Sequence, residues 1–287
     1  MAESWECSVH PDGLSIIGNG RYKGQTLLSV LQTHPQFYGT KRTRCEGLPI
    51  LVKLIDAKQD LSIQVHPDDA YARMYEHQNG KSEMWYVVDA DPDAFLIYGF
   101  AHPVTAQQLC EAIESKTLPK HLQKVPVHKG DVFYVPAGTV HGIGAGVLIA
   151  EVQESSNVTY RVYDYERTDQ HGKKRELHFD KAVEVMNMNP SQDVFQKPRM
   201  IHYYPGYCRE IICRCEYFET ERIQISQSML FFVSEQSFQI VLCLDGEIEL
   251  CNQDMGVILR GGECAFLPAD VGECTATGNA TILKIRC

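Results

Sequence analysis

Gly130-Asp131-Val132-Phe133-Tyr134-Val135-Pro136-Ala137-Gly138-Thr139-Val140-His141 reads as a strand, a tight Pro/Gly turn and a second strand that delivers one histidine to a fixed place. Upstream, Leu61-Ser62-Ile63-Gln64-Val65-His66 alternates polar and apolar residues. Side chains alternate faces along a strand, so Ser62, Gln64 and His66 share one face while Leu61, Ile63 and Val65 pack on the other. Glu83, in Lys81-Ser82-Glu83, adds a carboxylate. Gln64, His66, Glu83 and His141 together form an N/O ligand set suited to zinc or a neighbouring divalent metal such as Mn, Fe or Co. The economical reading is a β-barrel that holds a metal.

Gly130, Pro136, Gly138 and His141 fill every fixed position of the second cupin motif, G-x5-P-x-G-x2-H. The first half departs from the common cupin pattern. Gln64-Val65-His66-Pro67-Asp68-Asp69, Gly80-Lys81-Ser82-Glu83 and the segment from Glu151 to Tyr165 that carries Arg161 stand in the order found in class I mannose-6-phosphate isomerases of the short bacterial type. The chain resembles that family over most of its length. The resemblance implies a mainly β fold of two cupin-type jelly-roll barrels with a few helices. It also implies an enzyme that interconverts mannose 6-phosphate and fructose 6-phosphate through an enediol, with one Zn2+ per chain. Arg161 is assigned by resemblance to the active site, and Ser62 and Lys81 match residues at or near the substrate. Glu151 lies where the family has a candidate acid or base. Asn157 stands where many relatives have Asp, and Gly80 stands where some have a histidine. Relatives begin further upstream, so the chain is expected to be shortened at its N-terminus.

Individual residues also have plainer readings. Gln64 is the weakest ligand chemically and could be a buried hydrogen-bonding amide. Lys81 and Glu83 share a face and could form an ion pair; alternatively Glu83 binds metal while Lys81 meets a substrate oxygen. Arg161 offers permanently charged, planar donors for oxyanions. His10 is excluded from the site, and His77, His102, His121, His128, His171, His178 and His202 are expected to face solvent.

The 287 residues, with 44% apolar and aromatic types, are enough for one large or two medium globular domains. A net charge of -10, with no basic run beyond Lys173-Lys174-Arg175, argues against nucleic acid as a partner. No apolar run is long enough to span a bilayer and no signal peptide opens the chain, so no membrane partner and a cytoplasmic location are expected. The eleven cysteines are odd in number and lack a C-x2-C pair, and read as reduced core residues.

Short alternating segments bounded by Gly, Pro, Asn and Asp dominate. Thr105 to Gln108 is a capping box, Asp180 an expected N-cap, and Leu244-Asp245-Gly246-Glu247 a hairpin signal. The expected organisation is a catalytic metal-binding cupin domain at 1–170, a linker with a helix at 171–204, and a degenerate second cupin domain at 205–287. In the last, Gly262 to Glu273 repeats the pattern of Gly130 to His141, with Asp270 replacing the turn glycine and Glu273 the histidine. No second metal site is expected there. A sugar phosphate is the expected partner, bound by a monomer or weak homodimer. The rival readings are a catalytically impaired sugar-phosphate-binding cupin and another metal-cupin enzyme such as a dioxygenase. Gln64 beside only two histidines argues against the dioxygenase.

Overall fold

The structure, a computed structural model, describes residues 2–41, 47–168, 171–191, 199–253 and 255–287. The expected linker therefore lies partly, at 192–198, outside the described residues. The chain divides into two compact units, one of residues 1–4 with 54–196 and the other of 5–53 with 197–287. Residues 5–53 thus group with the C-terminal part, whereas the sequence pattern grouped them with the metal motif. No helix among the described residues is long and apolar enough to cross a membrane.

Two five-stranded sheets build the first part of the fold. Their strands are β1 (Ala2–Cys7), β2 (Ile50–Ala57), β3 (Ile63–Val65), β4 (Glu83–Ala90), β5 (Phe95–Phe100), β6 (Leu122–Pro126), β7 (Val132–Val135), β8 (His141–Ile143), β9 (Val147–Glu154) and β10 (Tyr160–Tyr163). One sheet has the order β1-β2-β9-β4-β7 and the other β10-β3-β8-β5-β6. Ile55, Trp85, Val87, Phe133 and Ile149 from the first share one buried cluster with Leu96, Val125 and Ile143 from the second. The inner faces therefore pack on each other, as apolar faces of alternating strands must. The outer face of the second sheet is also buried: Ile63, Val65 and Phe100 pack with Leu109 and Ala112 of helix α3 (Ala106–Glu114) and Ala182 of helix α4 (Phe179–Val185). Helices α1 (Leu27–Thr33) and α2 (Asp69–Tyr75) are short, N-capped by Thr26 and Asp68.

The capping box forms as read. Thr105 Oγ1 accepts the Gln108 N–H at 3.2 Å, and Gln108 Oε1 accepts the Thr105 N–H at 2.9 Å. Asp180 is not the N-cap; His178 is, because its N–H is already taken by the Arg161 carbonyl at 2.8 Å and the helix begins directly after it. Asp180 sits in the first turn, where its charge still favours the helix. Leu61 precedes β3 and packs with the inner cluster, not with Ile63 and Val65.

The second unit carries one large sheet from β11 (His202–Tyr204), β12 (Tyr207–Arg214), β13 (Glu219–Ile225), β14 (Ser228–Val233), β15 (Gln239–Asn252), β16 (Gly256–Arg260), β17 (Cys264–Leu267) and β18 (Gly272–Arg286). The order is β11-β12-β13-β18-β15-β16, with β14 also on β18 and β17 also on β15. No hairpin forms at Gly246. Its φ of +80° is used inside the continuous strand β15, where the ladder to β18 shifts register between Cys243 and Asp245. A left-handed glycine fits a bulge as well as a turn. The repeat read from sequence is real at the backbone: Asp270 takes φ +67° where Gly138 takes +84°. Aspartate tolerates that region better than most side chains do. Glu273 is exposed, and among the described residues only His66, Glu83 and His141 cluster as metal ligands. Ten described cysteines are free, four of them buried; Cys45 lies outside the described residues.

Candidate metal centre and active site

Sheet register brings the separated motifs together. Gln64 pairs with Arg161 on one side and with His141 on the other, and His141 pairs in turn with Tyr98. Directly opposite residues in antiparallel strands point to the same face, so these four residues form one row across the second sheet. That row faces the inner side, since the flanking Ile63 and Val65 pack outward against the helices. On the facing sheet, Glu83 pairs with Gln153 and Trp85 with Glu151. The inner face is apolar at one end, with Val87, Ile143 and Ile149, and polar at the other.

His66, Glu83 and His141 are buried, and their ligand atoms all lie within 4.8 Å of one another. His66 Nε2 is 3.1 Å from Glu83 Oε1, and His141 Nε2 is 3.7 Å from Glu83 Oε2. The Gln64 amide nitrogen lies 3.4 Å from His141 Nε2 and faces its lone pair as a donor. Backbone carbonyls set both tautomers: His66 Nδ1 lies 2.8 Å from the Val158 oxygen, and His141 Nδ1 2.8 Å from the Thr139 oxygen. A carbonyl only accepts, so each Nδ1 carries the proton and each Nε2 presents a lone pair. Burial, with Lys81 beside it, pushes the His66 pKa down to about 3, and burial also lowers that of His141. Both imidazoles are therefore neutral at pH 7. Glu83 is the reverse case: burial raises its pKa, but the adjacent Lys81 ammonium more than offsets this and holds it well below the usual carboxylate range. Its Oε2 has no hydrogen-bond partner among the described residues. Two neutral imidazoles and a carboxylate with an unsatisfied oxygen fit a divalent cation, which the Gln64 amide would join through its oxygen once turned about.

The Lys81 ammonium donates to Glu83 Oε1 and lies 3.1 Å from His66 Nε2. Burial works against its charge, yet Glu83 and Glu151 outweigh burial and its pKa is raised. The structure shows the plain reading of the pair: Lys81 pairs with Glu83, close to His66 Nε2. Ser62 is buried just before β3. Glu151 is buried and accepts the Trp85 indole N–H at 2.9 Å. Trp85 also stands edge-on to His141, with ring centroids 5.3 Å apart. Arg161 is half-buried; its Nη1 donates to the Glu176 carbonyl at 3.1 Å, and its Nε has no hydrogen-bond partner among the described residues. Partial burial, then Arg175 nearby, lowers its pKa, but a guanidinium keeps its charge at neutral pH. Asn157 is exposed.

Sequence alternation alone did not single out three further residues. Trp85 anchors Glu151, as above. Glu154 Oε1 accepts the Ser82 N–H at 2.8 Å and so fixes the segment that presents Lys81 and Glu83. His178, expected in solvent, is half-buried and its Nδ1 accepts the Arg161 N–H at 3.2 Å. His121 is half-buried as well, while His77, His102, His128, His171 and His202 are exposed as expected. A cavity of about 520 Å³ in the second unit, lined by apolar side chains such as Leu27, Leu31, Leu250 and Phe266, contains none of these residues.

Residues 1–93 match the catalytic domain of type I phosphomannose isomerase, and residues 210–287 match the cupin domain of mannose-6-phosphate isomerase. A mannose-6-phosphate isomerase from Streptococcus mutans is 43% identical over 98% of this chain and 87% of its own length. The crystal structure of the mannose 6-phosphate isomerase from Bacillus subtilis, 35% identical, superimposes with a TM-score of 0.90 over 99% of this chain and 88% of that one. The chain belongs to the type I mannose-6-phosphate isomerase family. A zinc-bound mannose 6-phosphate isomerase structure, at 18% identity and TM-score 0.78 over 99% of this chain and 90% of that one, shares the fold. His141, Glu151 and Arg161 lie outside both matched stretches, so their place in the site rests on the strand register described above.

Proposed function

We propose that this isomerase-family chain interconverts mannose 6-phosphate and fructose 6-phosphate by moving a proton between C1 and C2 through an enediol. The observation that carries the reading is the buried His66–Glu83–His141 cluster in one inner space with Lys81, Glu151 and Arg161. Gln64, His66, Glu83 and His141 would hold one Zn2+, which when bound supplies Lewis acidity toward the sugar's C1 and C2 oxygens. Arg161 and Lys81 contribute positive charge where an oxyanion develops. Arg161 has an Nε without a partner among the described residues for this, and Lys81 must exchange part of its hold on Glu83 for a substrate oxygen. Glu151, fixed by Trp85, is positioned to take or return a proton; a positioned base typically contributes about 10²- to 10⁴-fold. Ser62 contributes a hydroxyl to substrate binding.

The finer organisation follows the same reading: two cupin-type jelly-roll barrels, with the metal in the first and a second that keeps only the backbone pattern at Gly262 to Glu273. A catalytic part within 1–170, a linker with a helix to 204 and a degenerate cupin at 205–287 is the corresponding domain proposal. The enzyme would act in the cytoplasm as a monomer or weak homodimer, without nucleic acid or membrane. Incubating mannose 6-phosphate with zinc-loaded protein in D2O tests the reaction and its route at once. Fructose 6-phosphate carrying deuterium at C1 is expected. Binding without conversion would favour an impaired sugar-phosphate-binding cupin and overturn the proposal.

A further inference from the structure

The inward positions of β9 run Val147, Ile149, Glu151 and Gln153. The first two join the apolar cluster with Trp85 and Val87; the last two bring polar groups into the same space. Gln153 is directly opposite Glu83 in the ladder, which sets their Cβ atoms about 4.5–5.5 Å apart on one face. It is 0% exposed. The orientation of its amide is fixed by its neighbours. Nε2 lies 2.8 Å from the carbonyl oxygens of both Glu154 and Ser156. Carbonyl oxygens only accept, so the NH2 group must stand there and Oε1 is the other end. That oxygen has no hydrogen-bond partner among the described residues. Buried acceptors in folded proteins are nearly always satisfied, and the exceptions ask for a reason. Here both amide hydrogens are anchored to backbone, so Oε1 is held in place on a side chain that shares its sheet face with Glu83.

Resting on the isomerase reading above, we propose that Gln153 is a substrate-binding residue whose amide oxygen accepts a hydrogen bond from a hydroxyl of the open-chain sugar phosphate. The atom can only accept. The oxygens of a phosphate dianion and the ionised oxygen of an enediolate also only accept, so neither is its partner, whereas the sugar's hydroxyls donate, and those at C3, C4 and C5 take no part in the reaction. Lys81 and Arg161 serve the anionic parts of the same ligand, and Gln153 serves a neutral one.

The test compares kcat/KM of zinc-loaded wild type and Gln153→Met on mannose 6-phosphate and on its 3-, 4- and 5-deoxy analogues, with bound metal and melting temperature measured on the same samples. Wild type should lose roughly three- to tenfold on one analogue, the worth of one neutral hydrogen bond. Gln153→Met should turn over that analogue and the parent equally well while keeping its metal. A variant that discriminates among the analogues as wild type does, or that loses its metal, overturns the proposal. If Gln153→Met does not fold, Gln153→Ala, which also removes the acceptor, takes its place, and discrimination among the analogues that persists as in wild type counts against the proposal. Absence of turnover by zinc-loaded wild type would overturn the isomerase reading alone, and the same comparison then runs on dissociation constants.

Discussion

Glu83→Gln removes one charge from the centre while leaving its shape. In the native structure Glu83 is wholly buried, pairs with Lys81, and lies 3.1 Å from His66 Nε2 and 3.7 Å from His141 Nε2. The substitution leaves the Lys81 ammonium, itself 4% exposed, without its nearest counter-charge. Breaking a buried pair from one side costs about 3–5 kcal/mol. Glu151 still attracts Lys81, so the low end applies. About 3 kcal/mol corresponds to a fall in melting temperature of roughly 6–12 °C for a domain of this size. The assay is thermal unfolding of metal-free protein in chelator. The companion variant Lys81→Met/Glu83→Gln removes both charges and should regain most of the loss, since a buried pair exchanged for neutral groups is often close to neutral in stability. Neither variant should hold stoichiometric metal. The reasoning is refuted if Glu83→Gln melts within about 1 °C of wild type, or if the double variant is as unstable as the single one.

His141→Ala should abolish metal binding, because the remaining donors lose both affinity and geometry, whereas Glu273→Ala on the exposed repeat should leave metal content unchanged; elemental analysis of both variants decides. Arg161→Ala should keep metal and melting temperature but lose about 10²-fold or more in turnover; equal loss of stability and activity would mark a structural arginine. Stability of the metal-free protein should fall with acidification from pH 6.5 to 5. His66 and His141 have depressed pKa values in the folded state, so in that window the unfolded chain takes up protons that the folded chain refuses. Each contributes a slope of up to about 1.4 kcal/mol per pH unit, present above the ordinary histidine pKa and lost below it. Denaturant unfolding at three pH values reads this, and a flat profile would contradict the neutral, buried imidazoles.

The strand, turn and strand ending at His141 were legible in sequence because each step is local: the turn needs Pro136 and a left-handed Gly138, and strand alternation separates Gln64 from Ile63 and Val65. The grouping of His66, Glu83 and His141 was legible in the same way, once their spacings were matched to the family. What sequence did not reveal depends on pairings between distant segments. Gln153 gains its meaning only from lying opposite Glu83, and His178 only from its bonds to Arg161. Gly246 carries the local signature of a hairpin, yet its neighbours continue as a 14-residue strand because β18 pairs along the length of β15. Residues 5–53 group with 197–287, a discontinuous unit that no composition shift along the chain marks.

The central claim is that one metal ion on Gln64, His66, Glu83 and His141 enables the sugar isomerisation. It is tested most directly by stripping purified protein with chelator, adding zinc back in fractions of an equivalent, and following fructose 6-phosphate formation from mannose 6-phosphate at each step. Activity should be absent in the stripped protein and rise in proportion to bound zinc until one equivalent per chain. Turnover that persists after complete metal removal, or that stays absent at full occupancy, would contradict the claim.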